Sequence, residues 1–184
     1  MISPQLSALS TEQSWTDLVL DTETFNQVEE IKGWLKQSSA VKPDRSLNRK
    51  MKAGYRALFD GPAGTAKSTT AALIGKELSK PVYRVDLSTV VSKYIGETEK
   101  NLELLFERAK DKDWILFFDE ADALFGKRTD VKDSHDRYAN QEVSYLLQRI
   151  EDYNGLVILA TNMKNNTDDA FTRRFNLILR FSSV

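Results

Sequence analysis

Five short apolar runs, Arg56–Phe59, Val82–Leu87, Trp114–Phe118, Leu156–Thr161 and Leu177–Phe181, alternate with stretches that repeat at helical spacing. This alternation restricts the fold more than any other feature of the chain. Leu102, Leu105, Phe106 and Ala109 recur at i, i+3, i+4 and i+7, as do Val143, Leu146, Leu147 and Ile150, and Ala71, Ile74 and Leu78 do so more weakly. Strands that are apolar at nearly every position suit a parallel sheet, because helices cover both of its faces and neither meets water. The expected architecture is a three-layer α/β domain.

The rest of the chain is read around that core. Residues 1–14 are rich in Ser, Thr and Gln and read as a flexible leader, and residues 15–184 form the domain. Thr24 is the expected N-cap of a helix to about Gln37 carrying Phe25, Val28, Ile31 and Leu35, and Ser38–Lys52 reads as a linker. There is no internal repeat and no low-complexity tract.

Composition removes several classes of function. The 184 residues hold 26 Lys+Arg against 27 Asp+Glu, so the net charge of −1 provides no overall field for nucleic acid or an anionic membrane. With no Cys and one His, a disulfide framework, a thiolate zinc site and a His-Glu-x-x-His metalloprotease centre are all excluded within these residues. Trp114–Phe118, the longest strongly apolar run, is far short of the ~20 residues that span a bilayer. Met1-Ile2-Ser3-Pro4 has neither the basic nor the apolar region of a signal peptide, and a cytoplasmic location is expected.

After the first apolar run comes Gly61-Pro62-Ala63-Gly64-Thr65-Ala66-Lys67-Ser68-Thr69, followed by a helical pattern. The P-loop pattern is Gly, four residues, Gly-Lys-Ser/Thr, and Ala66 stands where its second Gly belongs. In such a strand–loop–helix, successive backbone N–H groups and the positive end of the helix surround polyphosphate. The Lys67 ammonium would reach the terminal phosphates and the Ser68 hydroxyl a Mg²⁺ ion. If the loop needs positive φ at Ala66, its Cβ costs about 1 kcal/mol or more. Asp60, just before the loop, would repel phosphate unless it points away.

The third run ends in Asp119-Glu120. An acid pair at the end of a buried strand costs desolvation energy unless a cation compensates, and nucleotide-bound Mg²⁺ is such a cation. Asp119 would hold the metal, and Glu120 would orient or deprotonate the attacking water.

With these two motifs in this order, the sequence resembles the AAA+ ATPases, in particular their unfoldase and remodelling branch, over roughly Trp15 to Phe181. Asn162, in Leu159-Ala160-Thr161-Asn162, is similar to the family's sensor-1 residue, which positions the hydrolytic water. Asp168-Asp169-Ala170-Phe171-Thr172-Arg173-Arg174-Phe175 resembles the region whose arginine fingers reach a neighbouring subunit's γ-phosphate. Relatives often separate two arginines by Pro-Gly, whereas here they are adjacent, so Arg173 and Arg174 are both candidates. Tyr94-Ile95-Gly96, within Ser92–Glu97, resembles the pore loop that grips a polypeptide in the ring's channel. The charged stretch Gly126–Arg137, with the solvated His135, would be a second pore loop or a connector.

The resemblance implies the large subdomain of a P-loop NTPase, with a five-stranded parallel sheet in the order 5-1-4-3-2 and the Walker A and Walker B motifs on its first and third strands. The small helical lid that carries the family's sensor-2 arginine is missing after Ser182-Ser183-Val184, so weak ATP binding and weak assembly are expected of this piece. The implied function is Mg²⁺-dependent ATP hydrolysis that drives remodelling of a polypeptide substrate by a homo-oligomeric ring, a hexamer. The alternative is a nucleotide-responsive assembly module with little turnover, motivated by Ala66 and Asp60. A nucleic-acid translocase is disfavoured, since the loop around Tyr94 offers Lys93 and Lys100 beside Glu97 and Glu99.

Overall fold

The computed structural model describes residues 6–40, 54–64, 66–91, 94, 96–125, 134–162 and 169–182. Thr65, Ser92, Lys93, Ile95, Asp168 and the charged stretch from Gly126, with the side chain of His135, lie outside the described residues.

Strands β1 (Leu6–Ala8), β2 (Tyr55–Asp60), β3 (Val82–Asp86), β4 (Ile115–Asp119), β5 (Leu156–Thr161) and β6 (Leu177–Arg180) form one sheet in the order β1-β3-β4-β5-β2-β6. From β3 to β6 the pairing is parallel, and read from the β6 edge those five strands have the expected order. The sixth strand corrects the five-stranded expectation. β1 pairs antiparallel with β3, Leu6 opposite Val85, and the Leu9 amide donates to the Val82 carbonyl at 2.8 Å. The stretch read as a flexible leader is thus docked in part, and Lys76 Nζ ties it again at the Gln13 carbonyl (3.2 Å). Three residues are too few to show a period, and what orders them is the unpaired edge that β3 offers.

Side chains alternate across the sheet, so each apolar run feeds two cores. Leu58, Val85, Leu116, Phe118, Val157 and Leu159 pack on one face against α4 (Glu97–Ala109) and α6 (Ser134–Asp152). Ala57, Phe59, Ile115, Phe117, Ile158 and Ala160 pack on the other against α1 (Thr22–Ala40) and α2 (Lys67–Leu78). The remaining helical pieces among the described residues are a 3-10 turn at Trp15–Asp17 and the single α-turns α3 (Leu87–Val90), α5 (Asp122–Phe125) and α7 (Asp169–Thr172).

Helix α1 starts two residues before Thr24. The Asp21 carboxylate accepts the Thr24 amide at 2.7 Å and so serves the capping role expected of Thr24, whose own hydroxyl donates to the Arg180 carbonyl. Lys32 locks α1 to α2 by bridging Glu29 (2.6 Å) and Glu77 (2.8 Å), with Trp15 beneath its ammonium. Burial alone would lower the Lys32 pKa, but the two acids outweigh it and leave it raised.

Phe117 is fully buried in the middle of β4 and meets Phe59 edge to face. Phe117→Ala is expected to destabilise the fold by about 3–5 kcal/mol, read as a lowered midpoint in urea unfolding.

Candidate functional site

In an open parallel sheet, ligand groups collect outside the carboxyl ends of the strands, where successive connections leave in opposite directions. Here that place is between β2 and β5. The chain leaves β2 toward β3 on one side, and leaves β5 toward β6 on the other. The tips are stitched together. The Gly61 amide donates to the Thr161 carbonyl (3.1 Å), the Ala121 amide to the Ala160 carbonyl (3.2 Å), and the Phe181 amide to the Asp60 carbonyl (2.7 Å). A Cβ on Gly61 would sit 2.3 Å from the Phe181 carbonyl oxygen, so a residue without one is required where the phosphate-type loop begins.

The loop then turns into α2 through two left-handed residues, Gly64 (φ 80°) and Ala66 (φ 66°). Ala66 therefore carries the strain anticipated from its position. The first hydrogen bond of α2 runs from the Thr70 amide to the Ala66 carbonyl at 2.9 Å, so the amides of Lys67, Ser68 and Thr69 precede any helical acceptor.

Lys67, the first residue of α2, turns its ammonium back over the strand tips. It donates to the Gly61 carbonyl, to the Pro62 and Thr161 carbonyls (3.4 and 3.3 Å), and to Asn162 Oδ1 at 2.8 Å. Two residues singled out separately, and far apart in the chain, are therefore in direct contact. Burial lowers the Lys67 pKa, opposed by the fields of Asp119, Asp122, Asp60 and Glu120 in that order.

On β4, Asp119 ends the strand, and its Oδ1 accepts the Glu120 amide at 2.8 Å. Glu120 is exposed and sits at φ 58°, a strained conformation for a residue with a Cβ, which swings the chain from the strand into α5. Three residues that take part here were missed from the sequence. Arg84 of β3 donates from Nε and Nη2 to Asp119 Oδ2 (3.0 and 2.7 Å), the Thr161 hydroxyl donates to Asp122 Oδ1, and the Asn162 amide reaches the same carboxylate at 3.3 Å. Arg84 was visible as a cation interrupting an apolar run, and Asp122 as a third acid after Asp119-Glu120.

The donor set fits a triphosphate with Mg²⁺. A buried ammonium and the first-turn amides supply fixed positive ends for phosphate oxygens. Among the described residues no group of three or more Asp, Glu or His could hold a metal by itself. One carboxylate and one hydroxyl, Asp119 and Ser68, suit an ion that keeps waters and shares phosphate oxygens.

Other candidates lie elsewhere. The Arg174 carbonyl accepts from Arg56 Nε at 2.7 Å, and its guanidinium lies 3.6 Å from Glu151. Arg56 is near the start of β2, about 13 Å along the strand from Asp60 at ~3.3 Å per residue. The arginine turn is thus at the amino edge of the sheet, away from the chain's own phosphate-type loop. Arg173 is exposed. Tyr94 is 73% exposed rather than a core contact, and Gly96 (φ 81°) caps α4.

The sequence profile of the ATPase family associated with various cellular activities (AAA) matches residues 57–183. The chain is 37% identical over 133 residues to an uncharacterized AAA family ATPase of Sinorhizobium fredii, covering 71% of this chain and 40% of that protein. It is 34% identical to the vacuolar protein sorting-associated protein 4 of Dictyostelium discoideum (70% of this chain, 29% of that protein). It is 36% identical to the proteasome-activating nucleotidase of Aeropyrum pernix (66% and 32%). The chain thus spans well under half the length of these relatives. Among solved structures, the FIGL-1 AAA domain superposes with a TM-score of 0.68 at 26% identity, covering 96% of this chain and 57% of that one.

Replacing Ala66 by Gly releases the left-handed strain but adds freedom to the unfolded chain. A net stabilisation of about 0.5–1 kcal/mol is expected for Ala66→Gly, measured as a raised urea midpoint.

Proposed function

The chain belongs to the AAA family of ATPases, and on that premise we propose that it binds ATP with Mg²⁺ at the carboxyl edge of its sheet and hydrolyses it. One observation carries this reading: the hydrogen bond from Lys67 Nζ to Asn162 Oδ1, which joins the loop after β2 to the end of β5 next to the acids of β4. A bland strand–loop–helix turn has no need to bring these three tips under one buried ammonium.

In this reading Lys67 and the amides of Gly64 to Thr69 hold the phosphates, and Ser68 and Asp119 hold the metal. Bound Mg²⁺ supplies charge that offsets what builds on the transferred phosphoryl group. Glu120, exposed beyond the strand tip, accepts a proton from the attacking water, and Asn162 orients that water. Lys67 also stays within reach of Asn162, so phosphate contact and water placement are mechanically linked.

Arg173 and Arg174 cannot serve the nucleotide of their own chain if they stay at the amino edge, which argues for catalysis across a subunit boundary in a homo-oligomeric ring. Of the two, Arg173 is the finger in this proposal, because Arg174 is engaged with Glu151 and Arg56. The exposed Tyr94, with Ile95 and Gly96, would grip a polypeptide substrate, and the work performed is remodelling of that polypeptide. A nucleotide-responsive module with little turnover is favoured instead by the strained Ala66 and by Arg84 on Asp119, and turnover decides between the two.

Steady-state phosphate release is expected to fall at least ~100-fold in Glu120→Gln while Mg-ATP binding persists, and Lys67→Ala is expected to lose binding. Mixing Arg173→Ala with Glu120→Gln subunits is expected to regain turnover, because an intact Glu120 then meets a neighbour's Arg173. Mixtures as inactive as the separate variants count against catalysis in trans, and a parent that binds ATP without turnover supports the assembly module.

A further inference from the structure

The carboxylate proposed to hold the divalent ion already has a cationic partner. Both hydrogen bonds from Arg84 converge on Asp119 Oδ2, while Oδ1 takes the Glu120 amide. The sheet itself builds this pair. β3 and β4 run parallel with Arg84 opposite Phe117 and Asp86 opposite Asp119, so alternation puts Arg84 and Asp119 on one face, one diagonal step apart. At 33% and 24% side-chain exposure the pair is only partly screened by water.

The surroundings make that charge consequential. Asp119, Asp122, Asp60 and Glu120 all act on Lys67, and a triphosphate adds further negative charge to the same edge. With Arg84 in place, Asp119 does not confront the phosphates as a bare anion. Without it, the Lys67 ammonium would have to serve both the phosphates and Asp119, and a divalent ion would be needed to relieve the remaining repulsion.

We propose that Arg84 is the built-in counter-cation of the nucleotide site, a positioning residue that neutralises Asp119 until a divalent ion takes it over and so sets how strongly ATP binding depends on Mg²⁺. The inference rests on the nucleotide reading above and goes beyond it. The parent is expected to bind ATP in the presence of EDTA, with Mg²⁺ adding modestly to affinity. Arg84→Gln keeps side-chain hydrogen-bond donors but not the charge, and should weaken metal-free ATP binding about tenfold or more while changing Mg-ATP binding less than about threefold.

Calorimetric titration of ATP with EDTA and with Mg²⁺ reads both affinities. Arg84→Lys should restore the parental ratio, and Arg84→Gln/Asp119→Asn should recover metal-free binding, because the orphaned anion is gone. A purely structural role for Arg84 would not give that recovery. A ratio in Arg84→Gln equal to the parent's, or a double variant no better than Arg84→Gln, overturns the inference while leaving the nucleotide site standing. A parent that binds no ATP in either buffer overturns the site and the inference together.

Discussion

A parallel sheet buried on both faces has no room for a charged side chain except at its ends, and that constraint organises this molecule. The middles of β4 and β5 are fully buried, with Leu116, Phe117, Phe118, Val157 and Ile158 inaccessible to water. The acids of the candidate site therefore gather where strands run out, at Asp60 and Asp119 or within three residues beyond, at Glu120 and Asp122. Lys67 reaches them from the first turn of α2, and the half-buried Arg84 from within β3. Because the five strands run the same way, their carboxyl ends fall on one edge, and residues scattered through the chain become neighbours.

At that edge, opposite charges are balanced by position. Lys67 is buried and its charged form is disfavoured by desolvation, yet three carbonyls, Asn162 and the nearby carboxylates hold it in place. Arg84 does the same for Asp119 from the neighbouring strand. Two of the residues with left-handed backbone strain lie in the same place. Ala66 and Glu120, both left-handed, are the residues that turn the chain from strand into helix on either side of β5.

How much of this could be read beforehand depends on the range of the interaction concerned. The parallel strands and the helices α4 and α6 were legible because burial on two faces imposes an uninterrupted apolar run, and burial on one face imposes the 3.6-residue period. β1 was not, since three residues have no period and their order comes from a partner 75 and more residues away. The start of α1 was misjudged because Asp21, three residues before Thr24, caps the helix earlier by accepting the Thr24 amide itself. The loop around Lys67 and the Asp119-Glu120 pair were legible as motifs, whereas the contact of Lys67 with Asn162 came only from the structure, because it joins residues 95 positions apart.

The sequence by itself determined the layer architecture, the strand at whose end each reactive side chain sits, and the left-handed burden on Ala66, because these follow from local pattern and local sterics. Tertiary structure alone decided that Arg84 meets Asp119, that the Arg173–Arg174 turn hangs from the start of β2 rather than beside Lys67, and that residues 6–8 close the sheet. Those outcomes depend on strand order and register. No pattern of neighbouring residues encodes which strand will lie beside which, since that choice is made by how the two cores pack as a whole.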